Sequence, residues 1–223
     1  MTHSICILGL NHKTAPVEIR ERFDLSGITN RDMKAAPEEG RALREHTILS
    51  TCNRVEILAV GEESAVRETL LHRWAGRCGR DTAELSPYIY TFSDLDAVEH
   101  LFMVASSLDS MVVGEPQILG QLKEAYRQAT QEGTTGVVIN RLMHKAFSVA
   151  KRIRSETGIS QNAVSISYAA VELAREIFSD LASKRAMLIG AGEMAEMAAS
   201  HLVRSGLGSL VITNRTFSRA QEL

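Results

Sequence analysis

Ser50-Thr51-Cys52-Asn53-Arg54 sets a thiol between two small hydrogen-bonding side chains, with a guanidinium two positions on. A cysteine attacks as its thiolate, and a nearby cation favours that form. The run therefore suits a cysteine nucleophile. On these residues alone a buried packing thiol remains an equal alternative. Cys6 alternates within an apolar run and reads as a core thiol, and Cys78, near Arg77 and Arg80, as a surface or rim residue. Three widely spaced cysteines argue against a disulfide framework or a zinc knuckle, so no metal site is expected. They fit a reducing cytoplasm.

A second chemistry sits near the C-terminal end. The apolar run 186–189 (AMLI) leads into Gly190-Ala191-Gly192-Glu193-Met194-Ala195 and then a helical stretch. Gly190 permits a tight turn, Gly192 lets backbone approach a pyrophosphate, and the helix N-terminus supplies free N–H groups. A Gly-rich turn of an ordinary α/β unit is the competing reading. A second strand, 209–213 (SLVIT), ends in Asn214-Arg215-Thr216. A carboxylate there would bind the ribose 2′-hydroxyl of NAD, whereas a guanidinium with small polar groups suits a 2′-phosphate. The expected cofactor is NADP(H). The chain stops at Leu223, barely into the next helix, so this segment reads as the start of a dinucleotide domain.

The elements that must position these groups follow from patterning. With 223 residues, 44% apolar and 23% charged, the chain has the length for two domains and an ordinary globular balance. A net charge of −2 gives no global pull toward nucleic acid. The N-terminus lacks the basic start and apolar core of a secretory leader, and no run reaches the ~20 apolar residues of a bilayer span. Strands are expected at 4–10, 46–50, 54–60 and 87–91, a short helix from Pro16 to 23, helical spacing over 30–45, and an amphipathic helix over 62–77. That order is a ferredoxin-like βαββαβ arrangement. Helices should then cover 93–106, capped by Ser93, 116–131, 140–157 and 160–181. The expected fold is α/β: a catalytic domain over 1–158, with added helices, then an incomplete Rossmann-type NADP(H)-binding domain over 159–223.

The blocks LGLNHKTAPVEIRE (8–21), STCNRVEI (50–57), HLF (100–102), SLDSMVVGEPQILGQLKEAY (107–126), GAGEMAE (190–196) and TNRT (213–216) resemble glutamyl-tRNA reductase along essentially the whole chain. That family is longer, with a complete NADPH domain and a C-terminal dimerisation helix, so this chain resembles an N-terminal portion. The resemblance implies that Cys52 attacks the ester joining glutamate to tRNA, leaving a thioester. Hydride from NADPH would then give glutamate-1-semialdehyde, the precursor of 5-aminolevulinate and tetrapyrroles. It implies substrate binding by Thr51, Asn53, Arg54, Ser110, Glu115, Pro116, Gln117 and Gln121, and cofactor binding by Gly190 to Ala195 and Asn214 to Thr216. Arg54 is the expected partner of the substrate's side-chain carboxylate, and Glu115, from its charge, of the α-ammonium.

His100 matches a family histidine implicated in activity. Its helical position, off the apolar stripe of Leu95, Val98, Leu101 and Ala105, by itself describes a solvated histidine. His12 follows the first strand, could line the same site and is read as structural. Arg141, His144, Lys145, Lys151, Arg152 and Arg154 could contact tRNA phosphates or simply form a solvated face, with Arg31, Arg41 and Arg44 a competing patch. Implied partners are glutamyl-tRNA, an aminomutase that takes the semialdehyde, and a second copy in a full-length homodimer, with no membrane. The alternative is a non-reducing fragment that binds or deacylates glutamyl-tRNA. An NADP-dependent dehydrogenase of shikimate type would explain TNRT and the glycines but not the cysteine block.

Overall fold

Strand alternation explains the first unit. In the computed structural model, which describes residues 3–34, 42–160 and 166–223, the chain divides into Met1–Gln161 and Asn162–Leu223. Four strands, β1 (His3–Asn11), β2 (Glu45–Ser50), β3 (Arg54–Glu62) and β4 (Tyr90–Ser93), form one antiparallel sheet in the order β2-β3-β1-β4. Cys6, Leu8, Leu10, Val55, Ile57 and Ala59 point to one face and bury with Phe23, Leu70 and Trp74. Ile7, Leu58 and Val60 point to the other and bury with Leu101, Val104, Leu122, Met143 and Ala146. Successive strand residues face opposite ways, so apolar side chains at both parities call for a helical layer on each side.

Those layers are α1 (Val17–Arg22), α2 (Val66–Arg77) and α3 (Thr82–Leu85), then α4 (Asp94–Ala105), α5 (Gln117–Gln131) and α6 (Val137–Glu156). α2 carries Leu70 and Trp74 of the first cluster, and α4, α5 and α6 cover the second face. The other unit contains α7 (Ile166–Phe178), β5 (Arg185–Ile189), α8 (Glu193–Arg204), β6 (Ser209–Thr213) and α9 (Phe217–Glu222), with β5 and β6 parallel. No helix among the described residues is long and apolar enough to cross a membrane.

Several expected elements differ. Of the helical spacing over 30–45, the described part is one 3-10 turn, Asn30–Met33, while Glu45 already belongs to β2; residues 35–41 lie outside the described residues. Thr29 closes that turn with a capping box, its hydroxyl accepting from Asp32 N while the Asp32 carboxylate accepts from Thr29 N. Pro87 sits in a 3-10 turn, Ser86–Tyr88, and the strand begins only at Tyr90, since proline lacks the N–H a ladder needs. Ser93 precedes α4 but makes no side-chain cap. Asp94 instead takes φ +49, where its carboxylate accepts from Ser4 Oγ (3.0 Å) and Ile5 N (3.1 Å), tying the helix start to β1. α6 starts at Val137, three residues early, because the Glu45 carboxylate accepts from Gly136 N, Val138 N and Ile139 N. Of the helix expected over 160–181, Ile166–Phe178 is helical and 161–165 lie outside the described residues.

Candidate active site

The Cys52 turn is built by its neighbour. Thr51 Oγ1 accepts from Asn53 N (3.3 Å) and Arg54 N (3.1 Å), while Thr51 N donates to Arg54 O (2.8 Å). A hydroxyl that closes its own turn leaves the residue after it at the tip. Arg20 Nε donates to Cys52 O (3.2 Å) and His12 N to Asn53 O (3.0 Å), so the turn is held from α1 and from the end of β1. Cys52 is exposed, which removes the packing alternative. Burial pushes the Cys6 and Cys78 thiols up to about 11, well away from the reactive range.

A cavity of about 50 Å³ opens at this turn, lined by His12, Thr51, Cys52, Asn53, Arg54, Ser110, Met111, Glu115, Gln117, Ile118 and Gln121. It draws on the β2–β3 turn, the segment before α5 and the first turns of α5. Of the substrate residues expected from the sequence only Pro116, the residue that starts α5, is not in its wall. His12 is in it too, in the place its position after the first strand allowed, although it reads as structural in the sequence.

Arg54 departs from expectation. It is 2% exposed, and its Nη1 donates to Glu56 Oε1 (2.7 Å) while Nη2 donates to Asp109 Oδ2 (3.1 Å) and to Asp109 O. Its charge is balanced inside the protein rather than offered to Cys52, so a substrate carboxylate would meet an arginine that already has two carboxylate partners. Lys13 Nζ completes the cluster, 2.5 Å from Asp109 Oδ1.

His100 also differs: it is buried, not solvated. Its Nε2 lies 2.8 Å from Glu56 Oε1, its ring stacks on Phe92 at 4.5 Å, and Tyr90 OH donates to the same Oε1. A carboxylate only accepts, so Nε2 carries the proton. Burial alone would raise the Glu56 carboxyl, but the bond from His100, the charge of Arg54 and the bond from Tyr90 hold it below the usual range. Tyr90 is pushed up by burial and by the Glu56 carboxylate. His100 lines a separate cavity of about 440 Å³ with Lys13, Tyr90, Phe92, Asp96, Glu99 and Asp109. Glu56 and Asp109 thus join the Cys52 cavity to His100, and the sequence reading passed over both. The signal was present: Glu56 is a lone charge inside the apolar run VEILAV (55–60), two residues from Arg54 and so on the same face.

In the other unit β5 and β6 pair in register, Ile189 opposite Thr213, so both chains leave the sheet side by side. Gly190 follows at φ +107, a conformation other residues rarely adopt, with its N–H on Thr213 O (2.7 Å). Gly192 starts α8 with no side-chain cap, and a Cβ there would meet nothing within 4 Å. The backbone at the start of α8 can thus be approached closely at Gly192. Asn214 Nδ2 donates to Thr216 O (2.8 Å), shaping the loop at the same edge that carries exposed Arg215. Among the described residues no cluster of His, Cys, Asp or Glu could hold a metal ion.

A profile of the family described as "Glutamyl-tRNAGlu reductase, N-terminal domain" matches residues 8–157. The chain belongs to the glutamyl-tRNA reductase family. A second profile, "Shikimate / quinate 5-dehydrogenase", matches residues 172–223, and together the two matches point to a nicotinamide cofactor. Glutamyl-tRNA reductases of Oleidesulfovibrio alaskensis and Nitratidesulfovibrio vulgaris (strain Miyazaki F) are 57% and 56% identical over 223 residues, all of this chain. The chain spans about half the length of these relatives, 49% and 50%. Among solved structures it is similar to the glutamyl-tRNA reductase of Methanopyrus kandleri, with TM-score 0.60 and 35% identity over 98% of this chain and 51% of that one.

Proposed function

We propose that this chain takes the glutamyl group from glutamyl-tRNA onto Cys52, the acyl-transfer half of an NADPH-dependent reduction to glutamate-1-semialdehyde. One observation carries the reading: an exposed thiol at a fixed turn lines one cavity with Thr51, Asn53, Arg54, Ser110, Glu115, Gln117 and Gln121. Cys52 Sγ attacks the ester carbonyl, the S–C bond forms, and the C–O bond to the tRNA ribose breaks, leaving a thioester. The Asn53, Gln117 and Gln121 amides and the Ser110 hydroxyl offer hydrogen bonds to the glutamyl group, and the Glu115 carboxylate is the anionic group for its α-ammonium. Arg54 and His100 act through Glu56 to fix the wall on which the substrate rests.

NADPH, when bound, supplies hydride. The N–H groups opening α8, Gly190 to Ala195, would hold its pyrophosphate, and Asn214, Arg215 and Thr216 its 2′-phosphate. The strand order β2-β3-β1-β4 supports reading residues 1–158 as a ferredoxin-like catalytic domain, and the parallel β5–α8–β6 unit supports a Rossmann-type domain over 159–223. On α6 the exposed Arg141, His144, Lys145 and Lys151 are available to tRNA phosphates, and Arg152 would exchange its Glu156 partner for one. A reducing cytoplasm, an aminomutase receiving the aldehyde and a homodimer of the full-length protein complete the proposal.

The test is incubation with glutamyl-tRNA, with and without NADPH, beside Cys52→Ser. Deacylation through a Cys52 thioester that Cys52→Ser abolishes is the expected result. Equal deacylation by the variant would remove the nucleophile.

A further inference from the structure

Thiol attack on an ester leaves two proton transfers without a carrier: one off sulfur, one onto the departing ribose oxygen. His100 does not fill the gap, because it lines the other cavity and its Nε2–H is committed to Glu56. His12 is in the cavity of Cys52. Asn11, the last residue of β1, pairs with Arg54, and the His12 N–H donates to Asn53 O (3.0 Å), so His12 is pinned to the turn that bears the thiol. Asn11 stiffens this connection, its Oδ1 accepting from Lys13 N (2.9 Å) and its carbonyl from Ala15 N (2.9 Å). The Nδ1 of His12 is buried with no hydrogen-bond partner among the described residues. A buried, unsatisfied ring nitrogen is costly, and such groups persist where they serve a purpose.

We propose that His12 is the proton carrier for Cys52. Its imidazole takes the thiol proton as the S–C bond forms and returns it to the ribose oxygen as the C–O bond breaks, so the step neither gains nor loses a proton. The assignment rests on the acyl-transfer reading. Charged groups around the ring come from several elements: Arg54 of β3, neighbouring Lys13, Asp109 of the segment after α4, and Arg20 of α1. Cys52 and Glu115 share the cavity. Burial, then the charges of Arg54 and Lys13, hold His12 below the ordinary histidine range, with Asp109 opposing. A neutral imidazole is the form a base must have at neutral pH.

The experiment compares the chain with His12→Ala and His12→Gln, both checked for fold by circular dichroism and fluorescence of buried Trp74. Thioester formation on Cys52 from glutamyl-tRNA should fall roughly 100- to 1,000-fold in both variants. Added imidazole should restore part of it in His12→Ala, where the ring has left a hole, and none in His12→Gln. Independently of tRNA, alkylation of Cys52 by iodoacetamide, followed by peptide mass, should show an inflection below about pH 6.5 that both variants lose. Unchanged thioester formation, or superposable alkylation profiles, overturns the proposal. Should the unsubstituted chain form no thioester, the acyl-transfer reading fails by itself, and the alkylation profiles still decide whether His12 exchanges protons with Cys52.

Discussion

Glu56 Oε1 accepts from Arg54 on its own strand, Tyr90 on β4 and His100 on α4, and the residue is buried, with little solvent to compensate for a lost partner. Glu56→Gln keeps the acceptor oxygen and removes the charge, leaving Arg54 buried with Asp109 alone. Breaking a buried pair in this way typically costs about 3–5 kcal/mol, and the retained amide oxygen should bring the loss to the low end. The charge also sets a pH dependence. The Glu56 and Asp109 carboxyls are both held below their usual range in the fold. Their contribution is therefore fully present above the unfolded carboxyl range, about 3.9–4.3, and is lost as pH falls through the depressed folded values. Urea unfolding at pH 7, 4 and 3, read by Trp74 fluorescence, should show a smaller loss with acid for Glu56→Gln than for the unsubstituted chain. Identical acid dependence would mean that Glu56 is not ionised in the fold. Cys52 and its polar neighbours were legible as residues because their types are unusual together. The partners of Arg54 were not, since local sequence does not say which side chain a buried guanidinium will meet across a sheet.

That meeting is arranged by register between elements. β1 is the central neighbour of β3 and β4, with Gly9 opposite Glu56 on one side and Tyr90 on the other. A Cβ at Gly9 would lie 2.8 Å from Glu56 Cγ and from the Tyr90 ring, so this glycine leaves the gap through which the two side chains touch. Gly9→Ala must push them apart. Overpacking of this kind costs about 1–3 kcal/mol, and it should also lower thioester formation on Cys52 by loosening Arg54. A variant with unaltered stability and acyl transfer would show that the contact is incidental. At the other sheet, Arg215 leaves β6 beside the glycine turn, and Arg215→Ala should weaken NADPH roughly 10-fold, about 1.4 kcal/mol, while leaving NADH unchanged. Equal losses for both cofactors, measured by fluorescence titration, would sever Arg215 from the 2′-phosphate. Alternating apolar residues made β1 and β3 legible, and Gly-x-Gly made the β5–α8 turn so. Where the span 30–45 is described, its apolar residues answer to the sheet face, Met33 and Leu43 both packing in the core beside α2. The start of α6 was missed because its cap, Glu45, lies on another element.

Across the whole chain, burial is unevenly shared. The first unit is buried on both faces of its sheet, with Leu8, Leu10, Val55 and Ile57 wholly enclosed. In the second, β5 and β6 alternate exposed and half-buried residues, and Met187, Ile189 and Phe217 lie open to solvent. Its buried apolar residues among those described are Val171, Leu181, Ala199 and Leu202. Resistance to local opening follows buried apolar contact, so the two units should open separately, the second at lower free energy. Native-state hydrogen exchange should therefore find the β5 and β6 amides less protected than those of β1 and β3. A ligand that binds only the folded form stabilises by RT ln(1 + [L]/Kd), about 2.7 kcal/mol at a hundredfold excess over Kd. NADPH at that excess should slow exchange in β5, β6 and the first turn of α8 by roughly 100-fold and leave β1 and β3 as they were. Slowing of all strands alike would mean that the chain opens as one cooperative body. No slowing anywhere would mean that the β5–α8–β6 unit, as it stands in this chain, does not hold the cofactor, which would confine its chemistry to acyl transfer at Cys52.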